Sequence, residues 1–170
     1  MADLIVYFSR AHENYVSGVI RELSVGNTQV AAQMVQKLTG GELFQVEPVT
    51  EYSHNYNECI AQAQADQRAN ARPQLKAYPE NIPDRVILCY PNYWSTMPMA
   101  MFTFLEHFDF TGKTILPLCT HEGSGMGSSE RDIKRLCPGA NVEKGLAIQG
   151  GRVNQAEPLI KDWLEKFSRK

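Results

Sequence analysis

Short apolar runs alternate along the chain with longer stretches whose apolar residues recur every three or four positions. Residues 3–8 form a run rich in β-branched side chains, which is typical of a strand buried on both faces. Residues 28–39 place their apolar side chains on one helical face and are followed by Gly40 and Gly41. The chain is therefore predicted to begin as strand, loop and helix.

The same alternation continues to the end of the chain. Further strands are predicted over residues 42–46, 85–90, 113–119 and 142–148, and further helices over residues 53–71 and from Pro98, Ser128 and Asn154 onwards. Ser128 is expected to cap its helix, and Asn154 with Glu157 forms a capping-box pattern. The last helix is expected to bury an apolar stripe that includes Leu159.

Five strands that alternate with helices indicate a parallel sheet covered on both faces, because parallel strands require crossover connections and these are right-handed. We therefore predict an α/β fold, a three-layer doubly wound sandwich with a five-stranded parallel sheet. A chain of 170 residues with 43% hydrophobic side chains can bury a core of its own. A single domain over residues 1–170 is expected.

Charge and composition disfavour several functions. The net charge of −2 provides no field that would attract nucleic acid or an anionic membrane surface. The apolar runs are far shorter than the roughly 20 residues of a membrane helix, and the first residues lack a leader-like pattern. A cytoplasmic protein is therefore expected. The cysteines and histidines lack zinc-type spacing, so no metal site is predicted.

In a doubly wound sheet, ligands bind beyond the carboxyl ends of the strands, near the point where the strand order reverses. The loop after the first strand combines hydroxyl and amide side chains with a glycine at a helix start, and this combination can form an anion cradle. Ordinary capping of the helix by Asn27 is an equally weighted alternative. The candidate residues of this loop are Ser9, Arg10, Gly26, Asn27 and Thr28.

The loop after the third strand carries two adjacent aromatic residues, on which a planar conjugated ligand could stack. The alternatives are that Trp94 packs back on the helix or marks a subunit interface. The loop after the fourth strand is rich in glycine, which permits close approach of the backbone to a ligand. The candidate residues of these loops are Pro91, Asn92, Tyr93, Trp94, Thr120, His121, Glu122, Gly123, Ser124 and Gly125. Together the three loops predict a mononucleotide site.

These three segments resemble the flavodoxin family, and the resemblance covers essentially the whole chain. Residues 7–10 (YFSR) followed by residues 26–28 (GNT) are similar to the phosphate loop of the family, and residues 91–98 and 120–127 are similar to its two flavin loops. The resemblance implies a strand order of 2-1-3-4-5 and noncovalently bound FMN.

The resemblance also implies a role for each candidate residue. Ser9, Arg10, Asn27 and Thr28 would hold the phosphate. Residues 91–94 would lie along the isoalloxazine and the ribityl chain, and residues 120–125 would close the other side of the site.

Two features differ from the family pattern. Fourteen residues, 12–25, are inserted into the phosphate loop, and their apolar side chains predict that the insertion folds over the surface or over the flavin. The charge is nearly neutral, whereas electron-carrier flavodoxins are strongly acidic, which suits docking to basic partners.

The leading interpretation is an FMN-binding electron-transfer protein that works with redox partner proteins and uses no side chain as an acid or base. The alternative is an FMN-dependent oxidoreductase that passes hydride from NAD(P)H to a quinone-like or nitro acceptor, with His121 placed to assist protonation. A cofactor-free adaptor with the same fold is the third possibility.

Overall fold

The computed structural model describes residues 2–167 as alternating strands and helices, with one additional hairpin. In chain order the elements are β1 (Leu4–Tyr7), β2 (His12–Val16), β3 (Val19–Leu23), α1 (Asn27–Thr39), β4 (Glu42–Gln45), α2 (Tyr56–Arg68), β5 (Arg85–Pro91), α3 (Met99–His107), β6 (Thr114–His121), α4 (Ser129–Leu136), β7 (Asn141–Val142), β8 (Leu146–Gln149), a 3-10 helix (Gly150–Gln155) and α5 (Glu157–Glu165).

The main sheet is parallel and has the order β4-β1-β5-β6, with β7 and β8 both paired to the outer side of β6. The central strands are in register, so that Ile5 lies opposite Leu43 on one side and Ile87 on the other. If β7 and β8 are counted as the fifth strand, the predicted order of 2-1-3-4-5 is confirmed, and so is the α/β doubly wound fold.

The fifth strand differs from the prediction because it is split into two pieces. Four residues of β6, from Ile115 to Leu118, face five residues of the neighbouring segment, from Val142 to Leu146. Pro117 lies inside this stretch of β6 and has no N–H to donate to a neighbouring strand. The segment between β7 and β8 therefore has its extra residue opposite the part of β6 where Pro117 offers no N–H to the hydrogen bonds between the strands.

The core forms one layer on each face of the sheet, because successive side chains of a strand point in opposite directions. On one face Ile5 and Ile87 pack with residues of α1 and α5, and on the other Val6 and Leu88 pack with residues of α3 and α4. The four cysteines are buried free thiols, as expected. Within residues 2–167, no helix combines the length and the apolar character needed to cross a membrane.

Three local predictions were wrong. Ser128 precedes α4, but its hydroxyl donates to the Ser95 carbonyl rather than capping the helix. The 3-10 helix takes up Asn154, so α5 begins only at Glu157 and no capping box forms. Leu159 is 49% exposed, because the buried face of this short helix is formed by Ile160, Trp163 and Leu164.

Two leucine truncations test which face of each element supports the core. Leu116→Ala removes a fully buried side chain from β6 and should lower the free energy of unfolding by about 2–5 kcal/mol. Leu159→Ala is the matched control on α5 and should change it by less than about 0.5 kcal/mol. Urea denaturation followed by circular dichroism measures both, and equal losses would contradict the packing described here.

Candidate functional site

A cavity of about 400 Å³ lies at the carboxyl edge of the sheet, where the loops after β1, β5 and β6 meet. This volume lies within the range of small-molecule sites. Most of the predicted site residues line the cavity: Arg10, Asn27, Thr28, Pro91, Asn92, Tyr93, Trp94, Thr120, His121, Glu122 and Ser124. The prediction that the three loops converge on one site is therefore confirmed.

The other four predicted residues, Ser9, Gly26, Gly123 and Gly125, are outside the cavity lining. The Ser9 hydroxyl accepts a hydrogen bond from the Gln29 N–H at 3.0 Å, so Ser9 helps to cap α1. Gly26, rather than Asn27, occupies the N-cap position. A Cβ on Gly26 would lie 2.3 Å from the Ser9 Oγ, so this position requires glycine because the loop packs closely on it.

One end of the cavity is formed by the first turn of α1. Asn27 and Thr28 line it, and the buried Thr28 hydroxyl lies 2.8 Å from the Thr120 hydroxyl, so α1 is tied to the end of β6. The first N–H groups of a helix lack intrahelical partners and lie at the positive end of its dipole. This end of the cavity therefore favours an anion.

Arg10 adds positive charge to the cavity lining, but its hydrogen bonds are directed to the protein itself. Its Nε donates to the Glu13 carbonyl and its Nη2 donates to the His54 carbonyl, both at 2.9 Å. Arg10 therefore joins the inserted segment to the loop before α2, in addition to lining the cavity.

Part of the cavity lining is aromatic. Tyr93 and Trp94 follow β5. Tyr56 of α2 and Tyr15 of the insertion also line the cavity, and the rings of these two tyrosines are stacked at a centroid distance of 6.0 Å. Trp94 packs on α2, where its indole N–H donates to the Ile60 carbonyl at 2.9 Å, and its side chain remains 43% exposed. A flat ligand would meet aromatic surface here.

The loop after β5 has an unusual backbone. Trp94 and Ser95 have φ values of 53° and 75°, which are uncommon for residues other than glycine. The Asn92 carboxamide holds this conformation by accepting the Ser95 N–H at 2.9 Å, and Gln67 donates to the Trp94 carbonyl. Strain of this kind, fixed by surrounding contacts, is typical of functional sites.

The end of β6 and the loop after it provide an imidazole and a carboxylate to the cavity, from His121 and Glu122. The His121 Nδ1 accepts the Gly123 N–H at 2.8 Å, and burial lowers the pKa of His121, so the imidazole is held neutral. The Glu122 Oε1 accepts the Ser17 N–H, whereas its buried Oε2 has no hydrogen-bond partner among residues 2–167. Burial raises the pKa of Glu122, and the Ser17 N–H opposes this only in part.

The insertion forms an antiparallel hairpin of β2 and β3 that bridges the cavity. At its base, the Glu13 carboxylate accepts the Tyr56 N–H at 2.7 Å. Its turn, Ser17 and Gly18, has positive φ at both residues, as type I′ hairpin turns require, and Ser17 contacts Glu122. The hairpin therefore connects α2 to the loop after β6. Its apolar side chains Tyr15, Val19 and Ile20 are 42%, 49% and 47% exposed, so the expectation that they pack over the surface or the flavin stays a prediction.

Sequence reasoning did not name several lining residues, most of which belong to the hairpin or to α2, while Ser95 lies inside the predicted loop of residues 91–98. They are Asn14, Tyr15, Tyr56, Cys59, Ile60, Ala63, Ser95 and Gly150. The available signal was the Ser17-Gly18 pair between two short runs of β-forming residues, which is typical of a hairpin. No comparable signal in the sequence places one face of α2 against the cavity.

Two glycine substitutions test how closely the loops after β5 and β6 pack. Gly127 has φ +55°, and a Cβ there would lie 2.1 Å from the Ser95 carbonyl oxygen. Gly127→Ala should therefore cost at least about 3 kcal/mol of unfolding free energy. Gly125→Ala is the control, because Gly125 has φ +64° with open space around it, and should cost about 1–2 kcal/mol. Equal costs in denaturant unfolding would contradict the close contact.

The environment of Glu122 predicts a pH-dependent stability. Because its pKa is raised on folding, stability falls as the pH rises above the usual carboxyl value of 4.5. Glu122→Gln should therefore unfold at a higher denaturant concentration than the unmodified protein at pH 7.5, and the difference should vanish near pH 4. Glu165→Gln, at an exposed position, is the control and should show no such difference.

Comparison with known proteins gives a family and a set of structural neighbours. The sequence matches the profile of the flavodoxin family over residues 19–167. A search of curated protein sequences finds no match. Several solved structures share the fold.

A candidate flavoprotein from Bacteroides eggerthii DSM 20697 is 26% identical, with a TM-score of 0.78 and 99% of each chain covered. Another from Bacteroides uniformis ATCC 8492 is 24% identical, with a TM-score of 0.72, covering 96% of this chain and 97% of its own. A flavoprotein from Lactobacillus acidophilus NCFM, solved in complex with FMN, is 16% identical, with a TM-score of 0.61, covering 91% of this chain and 97% of its own. Since the family profile matches most of its length, the chain belongs to the flavodoxin family.

Proposed function

We propose that the protein binds FMN in the cavity and transfers electrons between redox partners. The observation that carries this proposal is that the first turn of α1 and the aromatic residues after β5 border the same cavity of about 400 Å³. A phosphate fits the positive end of a helix, and a flat conjugated ring fits an aromatic wall. A mononucleotide has both groups in one molecule.

FMN is the cofactor of the flavodoxin family, and the residues of the cavity fit it. Asn27 and Thr28 would hold the phosphate at the start of α1, where the hydroxyl pair of Thr28 and Thr120 fixes the position of the helix. Tyr93 and Trp94 would border the ring system, and Tyr56 also lines the cavity. Bound FMN supplies the redox chemistry, and the protein supplies binding, orientation and shielding from water.

The electron-transfer function is supported by the position of Trp94. Its side chain is 43% exposed at the rim of the cavity, so a ring held against it would lie near the surface. Tyr15 and Ile20 of the hairpin are also more than 40% exposed, at 42% and 47%. The mouth of the cavity thus presents apolar surface on which a partner protein can dock.

A reductase acting on a small quinone-like acceptor is the second candidate, and it is favoured by one observation. His121 lines the cavity with a lowered pKa, so its imidazole is neutral near pH 7 and accepts a hydrogen bond at Nδ1. Its other ring nitrogen can therefore carry the N–H of the neutral tautomer and donate to a ligand. The small net charge of −2 also provides little attraction for a basic partner protein.

One experiment separates the two functions. The FMN-loaded protein is reduced stepwise with dithionite under anaerobic conditions while its visible absorbance is recorded, and a fresh sample receives NADPH. Two resolved one-electron steps with no response to NADPH would support electron transfer. Direct bleaching by NADPH, with turnover when a quinone is added, would support the reductase. Failure to bind FMN would contradict both.

Removal of the Thr28 hydroxyl tests the phosphate end of the cavity. Thr28→Val keeps the shape of a buried side chain but leaves the Thr120 hydroxyl without this partner. FMN should bind about ten times more weakly, which corresponds to about 1.4 kcal/mol. Quenching of flavin fluorescence measures the affinity. Thr103→Val on α3 is the matched control and should bind FMN as tightly as the unmodified protein, whereas equal weakening in both variants would argue against the assigned phosphate position.

A further inference from the structure

Three side chains with metal-binding groups meet at the base of the hairpin. His12 is the first residue of β2, and Glu51 and His54 lie in the loop before α2. The Glu51 Oε1 is 3.6 Å from the His12 Nε2 and 3.2 Å from the His54 Nε2. We refer to His12, Glu51 and His54 as the His–Glu cluster. His12 and Glu51 line a separate depression of about 190 Å³, beside the main cavity.

The two imidazole rings of the cluster are arranged face to face. Their centroids are 3.4 Å apart and their planes differ by 12°. His12 reaches this position with φ +69°, a conformation that is uncommon for residues other than glycine and that costs free energy. The backbone is therefore strained at the residue that brings its ring alongside His54. Because the lone pair of an imidazole nitrogen lies in the plane of the ring, the exposed His54 ring has to rotate out of this stack before both rings can bind one ion.

A second carboxylate fixes the orientation of the His12 ring. The Glu22 Oε1 on β3 lies 3.6 Å from the His12 Nδ1, on the side of the ring opposite Glu51. A carboxylate that faces one ring nitrogen leaves the other nitrogen free to bind a metal, an arrangement that recurs around metal-bound histidines. Glu22 would thus support the metal-binding tautomer of His12.

The ligand atoms of the cluster are close enough to converge on one ion. Zinc binds nitrogen and carboxylate oxygen at about 2.0–2.2 Å, so two ligands of a tetrahedral site are separated by roughly 3.4 Å. The separations of 3.2 and 3.6 Å about Glu51 bracket this value. All three ligand atoms lie within 4.8 Å of one another. Two imidazoles and one carboxylate favour zinc and similar transition metals over magnesium or calcium.

We propose that the His–Glu cluster binds a divalent transition metal ion of the zinc class. Glu51 and His54 are exposed, so the fourth coordination position is open to water. The metal joins β2 to the loop before α2. These two segments are already connected by hydrogen bonds that Arg10 and Glu13 donate to the His54 carbonyl. It thereby fixes the hairpin that contributes Asn14 and Tyr15 to the cavity wall. The sequence spacing predicts no metal site, because the two histidines are 42 positions apart.

The proposal is tested by metal titration of the full-length protein after dialysis against a chelator. Zn²⁺ binding is measured by calorimetry, and Co²⁺ binding by the visible absorbance of tetrahedral cobalt. We expect one ion per chain. His12→Asn and His54→Gln should each weaken Zn²⁺ binding at least tenfold, and Asn is chosen at position 12 because it tolerates positive φ. His107→Gln, on α3, is the matched control and should bind as the unmodified protein does.

Several outcomes would overturn the proposal. These are the absence of Zn²⁺ binding, retention of full affinity in both cluster variants, and an equal loss in His107→Gln. Circular dichroism of each variant establishes that it is folded. Zn²⁺ should also raise the unfolding temperature of the unmodified protein and leave that of His54→Gln unchanged. The same increase with Mg²⁺ would contradict assignment to the zinc class.

Discussion

The in-register parallel pairing of β1, β5 and β6 is the constraint on which the cavity depends. Tyr7 pairs with Cys89, and Cys89 pairs with Leu118, so three strands end side by side. Backbone hydrogen bonds extend this pairing beyond the strands, from the Phe8 N–H to the Cys89 carbonyl and from the Asn92 N–H to the Thr120 carbonyl. A shift of one residue in this register would turn every side chain to the opposite face and separate the loops.

Much of this arrangement follows from local sequence patterns. The buried central strands are continuous apolar runs, and the segments that follow them carry the residues found at the cavity. The split fifth strand was not predicted, because it depends on Pro117 of a neighbouring strand rather than on its own sequence. Leu159 fits an apolar helical stripe, yet it lies outside the buried face of α5, which Ile160, Trp163 and Leu164 form. The pattern within one element was therefore sufficient to predict that element where its neighbours in the sheet are also regular strands.

The hairpin and the His–Glu cluster show the other limit of sequence reasoning. His12 and His54 come together only because Arg10, Glu13 and Tyr56 connect the hairpin to the loop before α2. Such contacts between irregular segments leave no periodic signal. The cavity also contains groups that a stability-optimised fold would avoid, including the unpartnered buried oxygens of Glu122 and Tyr93 within residues 2–167 and the positive φ of Trp94. Local conflicts of this kind are expected where a structure serves a ligand.

The hairpin is attached by more hydrogen bonds at its base than at its turn, and this difference bears on how a ligand leaves the cavity. Its base is held by hydrogen bonds from Arg10, Glu13 and Tyr56, whereas the Ser17 turn is joined to Glu122 by a hydrogen bond of 3.2 Å. The end with fewer hydrogen bonds is expected to open first, which would leave the base as a hinge and place the gap on the side of β6. A ligand would then leave past the turn while the main sheet stays intact. Its residence time would depend on the lifetime of that local closure rather than on the global stability of the fold.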